Sequence, residues 1–331
     1  LSLGRVEKAQ SYAQRYLTEF PDNPAGRKLS GLINSRKGNT QAAISTLEPL
    51  LEQTPGDLQI LLILGDSYAA QGDFNKAAQF YERTLAKSPD NVDLQLHLVS
   101  TQLQAGQVDR AVNELKEILA KDPDQTRANT LLIMIHLRTG DLDEAQAASL
   151  RMKEATPGSP LPDYFTGIIR SARGQSEEAR QDFRKALAIK ADFAPAALRI
   201  AQMDVDEGKI DAARDQMRGV LAANDKNMQA LLGLASIETT AGNTAAAEGW
   251  MEKARQADPT ALQPRLFLID SHIGRGSLDQ ALALARETVQ AKPNEAAAVE
   301  ALARAQMAAG QTLNAITTFR QVTRLAPTSS M

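Results

Sequence analysis

The apolar positions of residues 58–91 show how the chain is built. Leu58, Leu61, Leu62, Leu64, Gly65, Tyr68 and Ala69 recur with the 3, 4, 7 spacing of a helix that buries one face. The run stops at Gln71-Gly72, where glycine can adopt the left-handed conformation that closes a helix. Asp73 then offers a side-chain oxygen to the bare N–H groups of a second helix. That helix carries Ala77, Tyr81, Thr84 and Leu85 on one stripe and ends before Pro89, which cannot continue it. The pattern predicts two helices joined by a tight turn.

The same pattern fills the chain. Gly4, Gly38, Gly72, Gly106, Gly140, Gly174, Gly208, Gly242, Gly276 and Gly310 fall at one interval of 34 residues. An alanine follows each glycine by five residues, from Ala9 and Ala43 through to Ala281 and Ala315. A proline stands seventeen past the glycine at Pro21, Pro55, Pro89, Pro123, Pro157, Pro259, Pro293 and Pro327, with Ala191 and Asp225 in the other two units. A period of this length, unbroken over 331 residues, predicts an all-α solenoid in which each unit buries its apolar face only against its neighbours. The expected organisation is a lone second helix within residues 1–23, then repeats over 24–159 and 160–331 in one continuous stack. Nine hairpins are expected to begin near residues 24, 58, 92, 126, 160, 194, 228, 262 and 296, which makes nineteen helices in all.

Two small residues explain the register. The alanine after each turn and a small residue seven before it (Gly31, Gly65, Gly167, Ala201, Ala235, Ala303) let paired helices approach closely. Val99, Ile133 and Ile269 break that rule and predict slightly wider hairpins. Pro49 falls inside a second helix and predicts a kink, because one backbone bond is lost there. The proline-rich segment 156–162 predicts a stiff joint, with Pro160 and Pro162 placed where a helix start tolerates them.

Composition removes several classes of function. The net charge is −3 with lysines and arginines dispersed, so no electrostatic footprint for nucleic acid or an anionic membrane is present. Cysteine is absent, which excludes disulfides, thiolate zinc sites and thiol catalysis. The longest apolar stretch, around Leu58–Leu64, is far short of a membrane span. His97, His136 and His272 lie in different hairpins and read as isolated surface or groove residues, so neither a metal nor a cofactor is expected. The acidic runs 141–144 and 204–207 flank turn glycines and read as caps and solvated turns. Trp250 reads as packing on a second helix. Nothing here assembles a catalytic constellation, and a non-enzymatic binding surface is the expectation.

Leu64-Gly65, Tyr68, Gly72, Ala77, Tyr81 and Pro89 together resemble the signature of the tetratricopeptide repeat, and the likeness runs over essentially every residue. Asn34, Gln102, His136, Arg170, Asp204, Glu238, His272 and Gln306 depart from it at the large residue four before the turn. The resemblance implies a right-handed superhelix whose first helices line a concave groove, with a protein or peptide partner lying against them. On the family's contact positions that groove would present Arg127, Met134, Leu137, Arg138, Tyr164, Ile168, Leu198 and Gln202. An apolar strip flanked by guanidinium groups suits an extended or helical peptide with an acidic element. The competing reading is that these apolar residues only pack neighbouring first helices together. Lys28 alone matches the subfamily that clamps a C-terminal carboxylate, and Leu29 and Leu32 stand where its asparagines would be.

A narrower resemblance lies in residues 159–162, 191–197, 200–208 and 264–266, which are similar to the tetratricopeptide lipoproteins of bacterial exosortase (PEP-CTERM) and exopolysaccharide systems. It implies an envelope scaffold in the periplasm, held by an N-terminal lipid-modified cysteine; the alternative is a generic cytoplasmic adaptor. The chain opens at Leu1, three residues before a register glycine, so a fragment whose natural N-terminus lies elsewhere is expected. A structural alternative is a spacer that self-associates end to end, through the lone helix at one end and Phe319, Val322 and Leu325 at the other.

Overall fold

The computed structural model describes residues 3–326, and among them lie nineteen α-helices and no strand. They fall into two compact units parted between Pro157 and Gly158. The first holds α1 (Leu3–Glu19), α2 (Pro24–Arg36), α3 (Thr40–Gln53), α4 (Leu58–Ala70), α5 (Phe74–Leu85), α6 (Val92–Gln104), α7 (Val108–Lys121), α8 (Thr126–Thr139) and α9 (Leu142–Ala155). The second holds α10 (Leu161–Ala172), α11 (Ser176–Ile189), α12 (Ala194–Asp206), α13 (Ile210–Ala223), α14 (Met228–Thr240), α15 (Thr244–Ala257), α16 (Leu262–Gly274), α17 (Leu278–Ala291), α18 (Ala296–Ala308) and α19 (Thr312–Leu325). Within each unit every helix packs on the next in chain order, as a stack of αα-hairpins requires.

The turns follow the glycine register. Gly38 and its equivalents through Gly310 have φ between 72° and 82°, a region that costs other residues strain. At Gly72 the amide of Asp73 reaches back to the Tyr68 carbonyl at 3.0 Å, and the Asp73 carboxylate accepts from the Lys76 N–H at 3.1 Å. Gly4 departs from the expectation. It lies inside α1, because no described helix precedes it to be closed there. Pro327, the last proline of the register, lies outside the described residues. Pro49 does not end its helix: α3 runs through it to Gln53.

Close approach of the paired helices is the packing rule. Ala43, Ala77, Ala111, Ala145, Ala179, Ala213, Ala247, Ala281 and Ala315 are all 0% exposed. A Cβ on Gly65 would stand 2.6 Å from the Tyr81 ring, and one on Gly167 would stand 2.5 Å from the Phe183 ring. Each glycine is therefore a notch for the large side chain sixteen residues later. Where the first helix instead carries Ile133 or Ile269, both fully buried, the second helix answers with the small, fully buried Ser149 or Ala285. Bulk moves from one helix to the other at these two crossings, and these hairpins, with that of Val99, pair less closely than the other six, in line with the wider pairing expected.

The position four before the turn shows a second substitution rule. In the hairpin that matches the signature, the Tyr68 hydroxyl donates to Glu48 on the preceding second helix. Burial, then that carboxylate, pushes the phenol up to about 12. In two hairpins of the second unit the aromatic gives way to an acid, and an arginine faces each. Arg180, 6% exposed, donates to Asp204, 4% exposed, and also to Glu207 at 2.6 Å. Arg214 grips Glu238 with two bonds of 2.8 and 2.7 Å, and Asn243 adds a third of 2.9 Å. Asp204 is thus not a turn-solvating residue, as its place in the acidic run suggested. It is a buried charge that ties α12 to α11, since a carboxylate out of water requires a partner.

Three outcomes are expected. Gly65→Ala should lower stability by about 1–3 kcal/mol through overpacking on Tyr81. Adding Tyr81→Met, which copies the Ala201–Met217 combination, should recover most of that loss in urea denaturation followed by circular dichroism. Asp204→Ala leaves Arg180 with Glu207 alone and should cost about 3 kcal/mol, whereas Arg180→Leu with Asp204→Tyr should cost clearly less. Finally, the Arg214 hydrogen bond, opposed by burial and joined by that of Asn243, holds the Glu238 carboxyl below its usual range. Its stabilisation is therefore present above the unfolded value of about 4.3 and is lost as pH falls through the lower folded value. Glu238→Gln should flatten the acid limb of the stability–pH curve, read from urea midpoints.

Candidate peptide-docking face

First helices bury one stripe against second helices and leave the opposite stripe less covered. The eight residues singled out from sequence divide between the units: four on α8, and four on α10 and α12.

On α8 the buried stripe is Ala128, Leu132, Ile133 and Ile135. Met134 stands outward, 54% exposed, with Arg138 one turn further on and Leu137 half-buried beside it. Arg127 is already engaged: its Nη1 lies 2.9 Å from Asp93 Oδ1 on α6, one full repeat back. The pair is well exposed, so it contributes about 0.2–1 kcal/mol and yields readily to a competing acid. Lys28 is likewise held, with Nζ 2.7 Å from Asp57.

The second unit uses its predicted residues differently. The Tyr164 ring sits edge-on to Phe193 at 5.5 Å and tilted to Phe183 at 5.9 Å, and Ile168 packs against the same cluster. These two side chains bind α10 to α11 and α12, as the competing packing reading has it. Leu198 and Gln202 do line open space. They form one wall of a cleft of about 320 Å³ between α12 and α14, faced by Gly233, Ser236, Ile237 and Thr240. At its mouth Gln202 donates to Asp206 at 2.8 Å.

Gly233 was not singled out in the sequence, yet its bare backbone lines the cleft and lets Leu198 and Met217 close onto it. The same place in the other first helices holds Leu29, Ile63, His97, Leu131, Phe165, Arg199, Phe267 and Ala301. A Cβ there would stand 2.8 Å from both Leu198 Cδ2 and Met217 Sδ. The signal was available as a glycine that belongs to neither the turn register nor the notch register.

His136 also departs from expectation. It is buried rather than at the surface, with neither ring nitrogen hydrogen-bonded and Nδ1 3.9 Å from Asp141. Among the described residues no three histidines, aspartates or glutamates converge in a way that could hold a metal ion, and no helix is long and apolar enough to cross a membrane.

Comparison with known proteins places this geometry. No curated protein sequence matches the chain. Among solved structures, yeast Tom70 is similar at 16% identity and a TM-score of 0.52, over 94% of this chain and 86% of that one. Pseudomonas aeruginosa pilF gives 16% and 0.45, over 61% and 92% of the two chains. YrrB, described as a TPR protein with an unusual peptide-binding site, gives 20% and 0.41, over 56% and 95%. At 16% identity the Tom70 likeness speaks to fold alone. Two family models, both described as tetratricopeptide repeat, match the sequence itself: one over residues 30–92, 198–261 and 268–330, the other over 68–132 and 102–163. Proteins built from this repeat are generally protein-interaction scaffolds. With the turns, notches and hairpins in register and more than half of the chain matched by one family model, the protein belongs to the tetratricopeptide repeat family.

Proposed function

We propose that the first-helix face of the second unit receives a peptide segment of a partner protein. An apolar side chain of that segment enters the cleft between α12 and α14, against Leu198 and Ile237, while Gln202 and Ser236 meet its main chain at the mouth. The observation that carries this reading is the cleft itself, walled by Leu198, Gln202, Ser236 and Ile237 across a Gly233 backbone that bears no side chain. A cleft formed by rigid helices is already shaped before binding, which spares the complex part of the ordering cost. In the first unit, Met134 and Arg138 offer an apolar and a cationic contact on the equivalent face.

The narrower reading we propose is that this docking serves an export or sorting machine of the bacterial envelope, with the protein held in the periplasm by an N-terminal lipid. The four segments similar to exosortase-system lipoproteins support it. Fractionation of the native protein with labelled fatty acid tests it directly. A lipid-bearing protein released with the envelope is expected, and an unlipidated cytoplasmic one contradicts this reading while leaving the cleft untouched.

For the cleft itself, Ser236→Trp should plug the mouth from an exposed position without disturbing the fold. Peptides selected from a random display library on the wild-type protein should carry an aliphatic or aromatic anchor. They should bind the variant at least about tenfold more weakly, a difference of about 1.4 kcal/mol. Equal binding to both proteins, or the recovery of no peptide, would sink the proposal.

A further inference from the structure

The second-helix face of the same unit carries a different kind of surface. A groove of about 540 Å³ lies between the C-terminal halves of α13 and α15 and the start of α14. Its floor is Trp250 with Leu221 and Leu231, and its rim holds Arg218, Lys226 and Lys253 against one carboxylate, Asp225. Three cations in one groove stand out on a chain whose net charge is −3. Arg218 is only loosely engaged, 3.4 Å from an exposed Asp215. Among the described residues no carboxylate pairs with Lys226 or Lys253; Lys253 Nζ lies instead 4.0 Å from the centre of the Trp250 ring.

A similar pair occurs in the first unit, where Arg83 sits over Phe80 at 5.5 Å. There the ring is covered, because Phe80 stacks on Tyr68 at 5.5 Å with the planes 9° apart. Trp250 has no such ring partner among the described residues. Its inner side packs on the hydrophobic core, and the rest of the indole faces the groove.

We infer that this groove is a second docking site, for an acidic peptide segment that inserts an aromatic or aliphatic anchor over Trp250. The indole and the leucines supply apolar area that a free anion would not use, and the cations are placed to pair with acids flanking the anchor. A nucleic-acid strand fits less well. Asp225 on the rim and Asp215 beside Arg218 interrupt the basic surface, and a continuous phosphate backbone would meet them.

Trp250 is the only tryptophan of the chain, so its emission reports on this groove alone. The probe is an N-acetylated pentapeptide, Glu-Asp-Phe-Asp-Glu, titrated into the full chain. A saturable change in emission is expected, weakening as salt rises. Arg218→Glu with Lys226→Glu changes two exposed residues, and retention of the helical circular dichroism spectrum checks its fold. That variant should bind about tenfold more weakly, as should a peptide with alanine in place of phenylalanine. Ser236→Trp adds a second tryptophan, so its binding is read by calorimetry; it should be unchanged, which separates the groove from the cleft between α12 and α14. The inference is overturned by an absent response at millimolar peptide, or by an equal response to Lys-Lys-Phe-Lys-Lys. It is overturned equally by undiminished binding to the charge-reversed variant, or by tighter binding of oligothymidylate or inorganic phosphate.

Discussion

Two helices can pair as closely as these do only if one of them surrenders a side chain where they cross. Here the surrender is regular. A fully buried alanine lies five residues past every turn glycine from Gly38 onward, and in eight of nine hairpins one residue of the facing pair is Gly, Ala or Ser; Val99 against Leu115 is the exception. Everything else follows from that contact. It fixes which stripe of each helix is buried, and therefore which stripe is left for other molecules. Gly233 repeats the device two positions before the notch: a first helix lacks a side chain, and Leu198 and Met217 close on its backbone beside the cleft.

Between hairpins the chain is less uniform. One interface uses a buried tyrosine hydrogen-bonded to a glutamate; two others use an arginine gripping an acid. A buried ion pair adds little net stability over apolar packing, but an unmatched one is expensive. Arg180 and Arg214 therefore act on alignment more than on strength. A stack shifted by one unit would bury Arg214 without Glu238.

The fold was legible because its determinants are local. A left-handed glycine, a helix-ending proline and a small residue at a crossing each act within one turn or one hairpin, and the period of 34 residues repeats them until no other architecture fits. The site was less legible because its determinants join different repeats. Asp204 looked like a turn residue, since its partner Arg180 lies 24 residues away. Tyr164 and Ile168 stay half-buried, and their packing was not legible because the aromatic cluster they join includes Phe193 on the next hairpin. Asp93 and Arg127 occupy the same position in successive units, 34 residues apart, so their pairing was within reach of the register alone. The burial of His136 had no such signal.

Amide hydrogen exchange, read residue by residue along the intact chain, tests the close-crossing account most directly. Protection should rise and fall with the repeat, peaking within each unit at the amides around the register alanines from Ala43 to Ala281, and falling at the turn glycines. Protection that ignores the repeat, or that is no greater at those alanines than at the exposed ends of the same helices, would contradict it.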